Sequence, residues 1–134
     1  GAETATPFHF GLTISTDQAN YNGGYTYGNG HKGIYRNETV PVGSFRSNSF
    51  GLHDVHGNVW EWVEDCWHGS YAGAPSDGRA WTRGGNCSLR VLRGGSWLND
   101  PRNLRAARRY GYGVDVRYDD IGFRVARTLL PLAP

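Results

Sequence analysis

The side chains best equipped for chemistry fall in two clusters. The first is His53-Asp54-Val55-His56-Gly57-Asn58-Val59-Trp60-Glu61-Trp62-Val63, in which Trp60 and Trp62 alternate with Val59, Glu61 and Val63. That alternation is the period-two signature of a strand. One face buries two indoles, and the other sets Glu61 beside two valines. A carboxylate there is costly unless it is paired, hydrogen-bonded or bound to a cation. Arg93 or Arg124 could pair with it, and a hard cation is the other answer. His53 and His56 have a zinc-like His-x-x-His spacing. With no third ligand evident in the turn, they read as satisfied surface histidines.

The second cluster is Leu98 to Asp120, a polar, aromatic and arginine-rich stretch. Tyr110, Tyr112 and Tyr118 offer large amphipathic contact area at modest entropic cost, and Gly111 and Gly113 let the backbone present them, as in a paratope. Asn99, Asp100, Asp119 and Asp120 add polar and acidic contacts. Arg108 is suited to anchor a partner carboxylate or an aromatic face. With Leu98, Leu104, Val114 and Val116 these residues form the candidate ligand-binding set. The competing reading is that Tyr and Arg pack on each other to steady a long loop.

The elements that must position this loop are short. Val91 to Trp97 is a glycine-tightened strand signal and Ile121 to Val125 a second one; Ser88 to Leu92 alternates. Thr39 to Phe45 reads as an edge strand, since Pro41 cannot donate to an interior ladder. Asn22-Gly23-Gly24, Gly28-Asn29-Gly30 and Lys32-Gly33 supply positive-φ positions that exclude a helix there and carry Tyr21, Tyr25 and Tyr27 over a core edge. Asp65 to Asn86 is loop-like, and Ala106-Ala107 allows a short helical turn or a strand. Pro7 to Gly11 is the first segment able to anchor to a core. Residues 1–6 read as a flexible leader, 7–128 as one domain, and 129–134 as an apolar tail that caps the core or frays.

With 134 residues the chain has room for one hydrophobic core. A formal charge of +2 gives no global field for nucleic acid or an anionic membrane, although arginines concentrate after Arg79. No segment resembles a signal peptide or spans a bilayer, so the chain as given reads as soluble, without membrane insertion, and names no compartment. Cys66 and Cys87 lie in no CxxC or zinc-type cluster and read as two buried thiols rather than a disulfide.

The blocks Gln18-Ala19-Asn20-Tyr21, Pro41-Val42-Gly43-Ser44-Phe45, Gly51-Leu52, Gly57-Asn58-Val59-Trp60-Glu61-Trp62, Arg93-Gly94-Gly95-Ser96-Trp97, Arg105-Ala106-Ala107-Arg108 and Gly122-Phe123-Arg124 resemble, in order and spacing, the formylglycine-generating enzyme and sulfatase-modifying factor family. The resemblance implies an α+β, C-type-lectin-like fold, loop-rich, with short antiparallel strands and little helix. It covers nearly the whole chain but lacks the family's usual N-terminal half, as in a shortened member, a fragment or a chain completed by a partner. It does not carry the catalysis. Where the enzymes place two copper-binding cysteines, this chain has Asn99 and Leu104. An amide cannot replace a thiolate and leucine has no lone pair for a metal, so no copper is expected. A structural calcium site carries over better, onto Asp54, Gly57, Val59 and Glu61, a hard-oxygen set. The family's second calcium site is weakened, because Lys32 falls near an expected carboxylate and Asn20 alone cannot carry it.

The loop also resembles the variable region of retroelement-diversified proteins built on this fold, which lies between Arg-Gly-Gly-Ser-Trp and Gly-Phe-Arg. Residues 98–120 contain no Lys, Glu, Gln, Met or Trp, as adenine-directed mutagenesis requires at altered sites. Arg93, Arg102, Arg105 and Arg124 belong to the frame. Two functions follow. One is a non-catalytic protein whose loop binds a protein or other macromolecule. The other is a formylglycine-generating-type oxidase or sulfatase-modifying domain that has lost its cysteine pair.

Overall fold

In the computed structural model, which describes residues 6–131, four strands make one sheet in the order β3-β2-β1-β4. β1 is Trp60–Trp67, β2 Asn86–Arg93, β3 Arg109–Gly113 and β4 Ile121–Gly122. A 3-10 turn over Pro101–Leu104 is the helical element among the described residues, so the loop-rich, helix-poor C-type-lectin-like expectation holds. β1 to β2 and β2 to β3 are antiparallel, but β4 runs parallel to β1. That departs from the expectation of antiparallel strands. No helix among the described residues is long and apolar enough to cross a membrane. The expected leader lies, apart from Thr6, outside the described residues, as do the last three residues of the tail. Leu129 and Leu130 are exposed and do not cap the core.

The core sits beside the sheet. Phe8, Ile14, Ala19 and Tyr21 from the N-terminal segments pack with Leu104, and Phe10 and Tyr27 close its edge. Phe8 is the anchor expected of Pro7 to Gly11, and the buried Tyr21 hydroxyl donates to the Ile14 carbonyl. The glycine-rich excursion is free of helix, but for a different reason from the one expected. Of its glycines only Gly28 takes a positive φ. Gly23, Gly30 and Gly33 are needed for close approach: a Cβ on Gly23 would lie 2.4 Å from the Ile34 carbonyl oxygen.

Three further expectations are corrected. Thr39 to Phe45 is not a strand. Gly43 turns the backbone at φ +78°, and the Asn58 amide takes the place of a neighbouring strand, accepting from Val40 N and donating to Val40 O. The signal at Val91 to Trp97 ends as a strand at Arg93, because Gly94 and Gly95 both turn at positive φ and drop Ser96 and Trp97 into a buried bend. Cys66 and Cys87 form a disulfide across β1 and β2, with Cα atoms 4.5 Å apart. Antiparallel pairing brings the two positions together at an irregular stretch of the ladder, and Cys87 is exposed rather than buried.

Candidate functional site

The sheet sorts the candidate residues by face. Cross-strand partners point the same way, so the pairs Trp62↔Leu92, Leu92↔Tyr110 and Arg90↔Tyr112 lie on one face of the sheet. Glu61, Arg93 and Arg109 lie on the other. The alternation read from Trp60 and Trp62 is therefore correct in period. The expectation that both indoles are buried is only partly met: Trp60 is buried, whereas Trp62 is half-buried and lines an open hollow.

On that face an aromatic row runs from Trp60 to Tyr110, Tyr112 and Tyr118, with successive ring centroids 5.9, 5.1 and 5.6 Å apart. β3 creates it by placing Tyr110 and Tyr112 two residues apart on one face. Gly111 faces the other side, where a Cβ would come within 2.8 Å of the Trp67 ring. Strand β3 corrects the expectation of a loop here: Tyr-Gly-Tyr-Gly pairs along β2. The Tyr112 phenol is pushed above its usual range, chiefly by the neighbouring Tyr110 side chain.

Two hollows flank the row. One, of about 340 Å³, is lined by Trp60, Leu98, Asn99, Asn103, Tyr110, Tyr112 and Asp120. The other, of about 550 Å³, takes Val114, Val116 and Tyr118 from the loop and adds Trp62, Arg90 and Phe123. The sequence places Trp62 in the core and Phe123 in the Gly-Phe-Arg frame, and marks Arg90 with no site role. Strand parity sets Trp62 on the side of Trp60 but carries no sign that its ring stays half-exposed.

The remaining expected residues separate into surface and support. Leu98 is 49% exposed and Tyr118 55%. Leu104 is corrected: at 0% exposure it is core, so it presents nothing to a ligand. Asn99 lines a hollow, but its Oδ1 accepts from Ser96 N and Oγ and holds the bend. Asp100 caps the 3-10 turn by accepting from Arg102 N. Asp119 is exposed and its carbonyl accepts from the Trp97 indole, while Asp120 accepts from Ser96 Oγ. Arg108 stands apart from the aromatic row in a hollow with Arg102 and Arg105.

The expected calcium ligands do come together. Asp54, Gly57, Val59 and Glu61 line one hollow, and Asp54, Gly57 and Asn58 take positive φ there. Short polar side chains and glycine tolerate that conformation. A cation already meets them, however. The Arg124 guanidinium binds both Glu61 oxygens, and its Nη2 also donates to the His53 and Asp54 carbonyls. Asp54 Oδ2 is engaged by Gly43 N. In this arrangement the residues do not fit a resident calcium ion without displacing Arg124. Asn20, the remaining candidate at the second site, has its Nδ2 bonded to the Glu38 carbonyl and Asn58 Oδ1.

His53 is exposed, as expected, with Nδ1 against the Phe45 carbonyl. His56 is not a surface residue. It is buried, accepts from His9 N at Nε2 and contacts the Leu104 carbonyl at 2.6 Å through Nδ1. Those contacts fit a neutral ring protonated at Nδ1, and burial lowers its pKa. No group of three or more His, Cys, Asp or Glu among the described residues is placed to hold a metal.

Comparison with known proteins places this geometry. Residues 4–129 match the sulfatase-modifying factor enzyme 1-like domain. The chain is 33% identical over 129 residues to the serine/threonine-protein kinase pkn1 of Chlamydia caviae, but spans only 19% of it. It is 35% identical to the inactive C-alpha-formylglycine-generating enzyme 2 of Bos taurus, over 64% of this chain and 26% of that one. PvdO from Pseudomonas aeruginosa superposes with a TM-score of 0.66 at 45% identity, over 81% of this chain and 38% of that one. Treponema denticola variable protein 1 superposes with a TM-score of 0.55 at 28% identity, over 81% and 35%. With a lectin-like sheet, the Gly-Asn-Val-Trp-Glu turn and the Gly-Gly-Ser-Trp bend in the matched positions, this chain belongs to the sulfatase-modifying factor enzyme 1-like domain family.

Proposed function

We propose that this domain is a non-catalytic binding protein that presents residues 98–120 to a protein or other macromolecular ligand, as a variable protein of the retroelement-diversified type. The observation that carries the reading is the aromatic row in which buried Trp60 backs Tyr110, Tyr112 and Tyr118, the tyrosines partly exposed on one sheet face with a hollow on either side. Rigid, amphipathic rings over concave ground are what a paratope uses for contact area. Similarity to an inactive formylglycine-generating enzyme and to a variable protein supports the same reading.

The oxidase alternative loses ground at Asn99 and Leu104. One holds a bend and the other fills the core, so neither supplies a thiolate. Sequencing sibling copies tests the proposal. Variation should concentrate at Leu98, Tyr110, Tyr112, Val114, Val116 and Tyr118 and spare Pro101, Leu104 and Gly111, whose side-chain space is fixed by packing. A loop constant across siblings, or copper-dependent oxidation of a cysteine peptide by this chain, would sink it. At the protein level, replacing Tyr110, Tyr112 and Tyr118 with Ala should abolish ligand capture with little change in Tm; a large Tm loss would instead mark the rings as packing.

A further inference from the structure

Arg102, Arg105 and Arg108 recur every three residues from the 3-10 turn onward, and buried Pro101 and Leu104 fix the backbone that carries them. Together with Asp100 and Asn103 they line a hollow of about 370 Å³. The donors there are not all used. Arg105 Nε donates to the Arg102 carbonyl at 2.9 Å, and Arg102 makes only a loose 3.8 Å contact with Asp100. Among the described residues the Arg108 Nε is buried and meets no acceptor. With Nε shielded by packing, an arriving acceptor meets the terminal amino groups of the Arg108 guanidinium.

We propose that these three arginines form an oxyanion pocket for a carboxylate carried by the ligand, with Arg108 as its fork. This deepens the binding-surface reading and rests on it only for what carries the carboxylate. A planar carboxylate matches the guanidinium fork in a bidentate pair. Asp100 lines the same hollow beside three guanidinium groups, so the site keeps a net positive charge and selects a planar oxyanion by the geometry of the fork rather than by charge count. Asn103 also lines the hollow beside Trp60 and Tyr110. The recognised feature is therefore an acidic side chain next to an apolar or aromatic one. The pocket also gives Arg102 and Arg105, read from the sequence as frame, a second role.

The experiment is a titration of the intact chain with sodium acetate, followed through the arginine Nε–Hε resonances, with sodium chloride at equal ionic strength as control. Acetate should shift the Arg108 and Arg105 signals saturably where chloride does not. In Arg108→Lys, which keeps the charge but loses the fork, the Arg105 shift should require roughly 10-fold or more acetate, the worth of a charge-assisted bidentate pair. Arg105→Lys provides the same comparison, read at Arg108, if the first variant does not fold. Equal shifts with chloride, or unaltered acetate affinity in a folded lysine variant, would overturn the pocket. Partner capture lost in the tyrosine variants but retained in Arg108→Lys would overturn the pocket's part in binding and leave the aromatic surface standing.

Discussion

Leu104 carries the clearest lesson at the scale of single residues. Its position in the loop placed it with ligand contacts, whereas burial places it in the cluster with Phe8, Ile14 and Tyr21. Truncation to Ala should cost about 2–5 kcal/mol, measured by denaturant unfolding; a cost near zero would return it to the surface set. Loop membership is readable from turn residues and polarity, but which member turns inward depends on the path between Pro101 and Arg109, and no periodicity marks that path. Tyr110, Tyr112 and Tyr118 were legible because ring chemistry alone argues for contact. Arg108 was legible as a cation. Its buried Nε was not, because only packing reveals which donors water no longer reaches.

Two elements were legible at their centres and misread at their edges. Strand β1 follows from Trp-Glu-Trp alternation, and β2 from Ser88 to Leu92. The parallel return of β4 and the disulfide required knowing which strands are neighbours. Closing a loop between residues 21 apart, the Cys66–Cys87 bond should contribute about 3 kcal/mol by constraining the unfolded chain. Unfolding midpoints with and without a reductant measure this, and identical midpoints would show that the bond contributes nothing. The Glu61 ambiguity is an element-scale question too, because β4's continuation delivers Arg124 to β1's carboxylate. Arg124→Gln should therefore lower stability by about 1–3 kcal/mol, while calcium or a chelator leaves the Tm of the unaltered chain unchanged. A calcium-dependent rise in Tm would show instead that the metal displaces the guanidinium.

The domain as a whole is held to its N-terminal segments partly through a neutral imidazole. His56 bridges His9 and Leu104, and burial lowers its pKa from the ordinary 6.5; His9, stacked on it, is lowered by burial as well. With the folded value depressed, the unfolded chain binds protons first as pH falls. The stability these groups contribute is complete above about 6.5 and is lost as pH drops through the lower folded values. Thermal unfolding across that window should steepen in acid, and His56→Gln should flatten the histidine part of the profile. The lectin-like architecture was legible from its motifs in order. The location of the core was not, because the buried cluster is assembled from segments with no repeating pattern.

Strand β1 also sits between the two ends of the presenting segment. The chain leaves from β2 and β3 on one flank and returns through β4 on the other, where Trp60 N bonds the Asp120 carbonyl at 2.7 Å. One exit is fastened to β2 through the Leu89↔Gly113 pairing and the other to β1 through β4, and β1 and β2 are themselves paired, so the span from Gly113 to Tyr118 is closed at both ends. Enlarging such a closed span raises its closure entropy only logarithmically, by about 0.6 kcal/mol per doubling. Length should therefore be as free to vary as side-chain identity, and a short Gly-Ser insertion after Asp115 should leave the unfolding midpoint almost where it was.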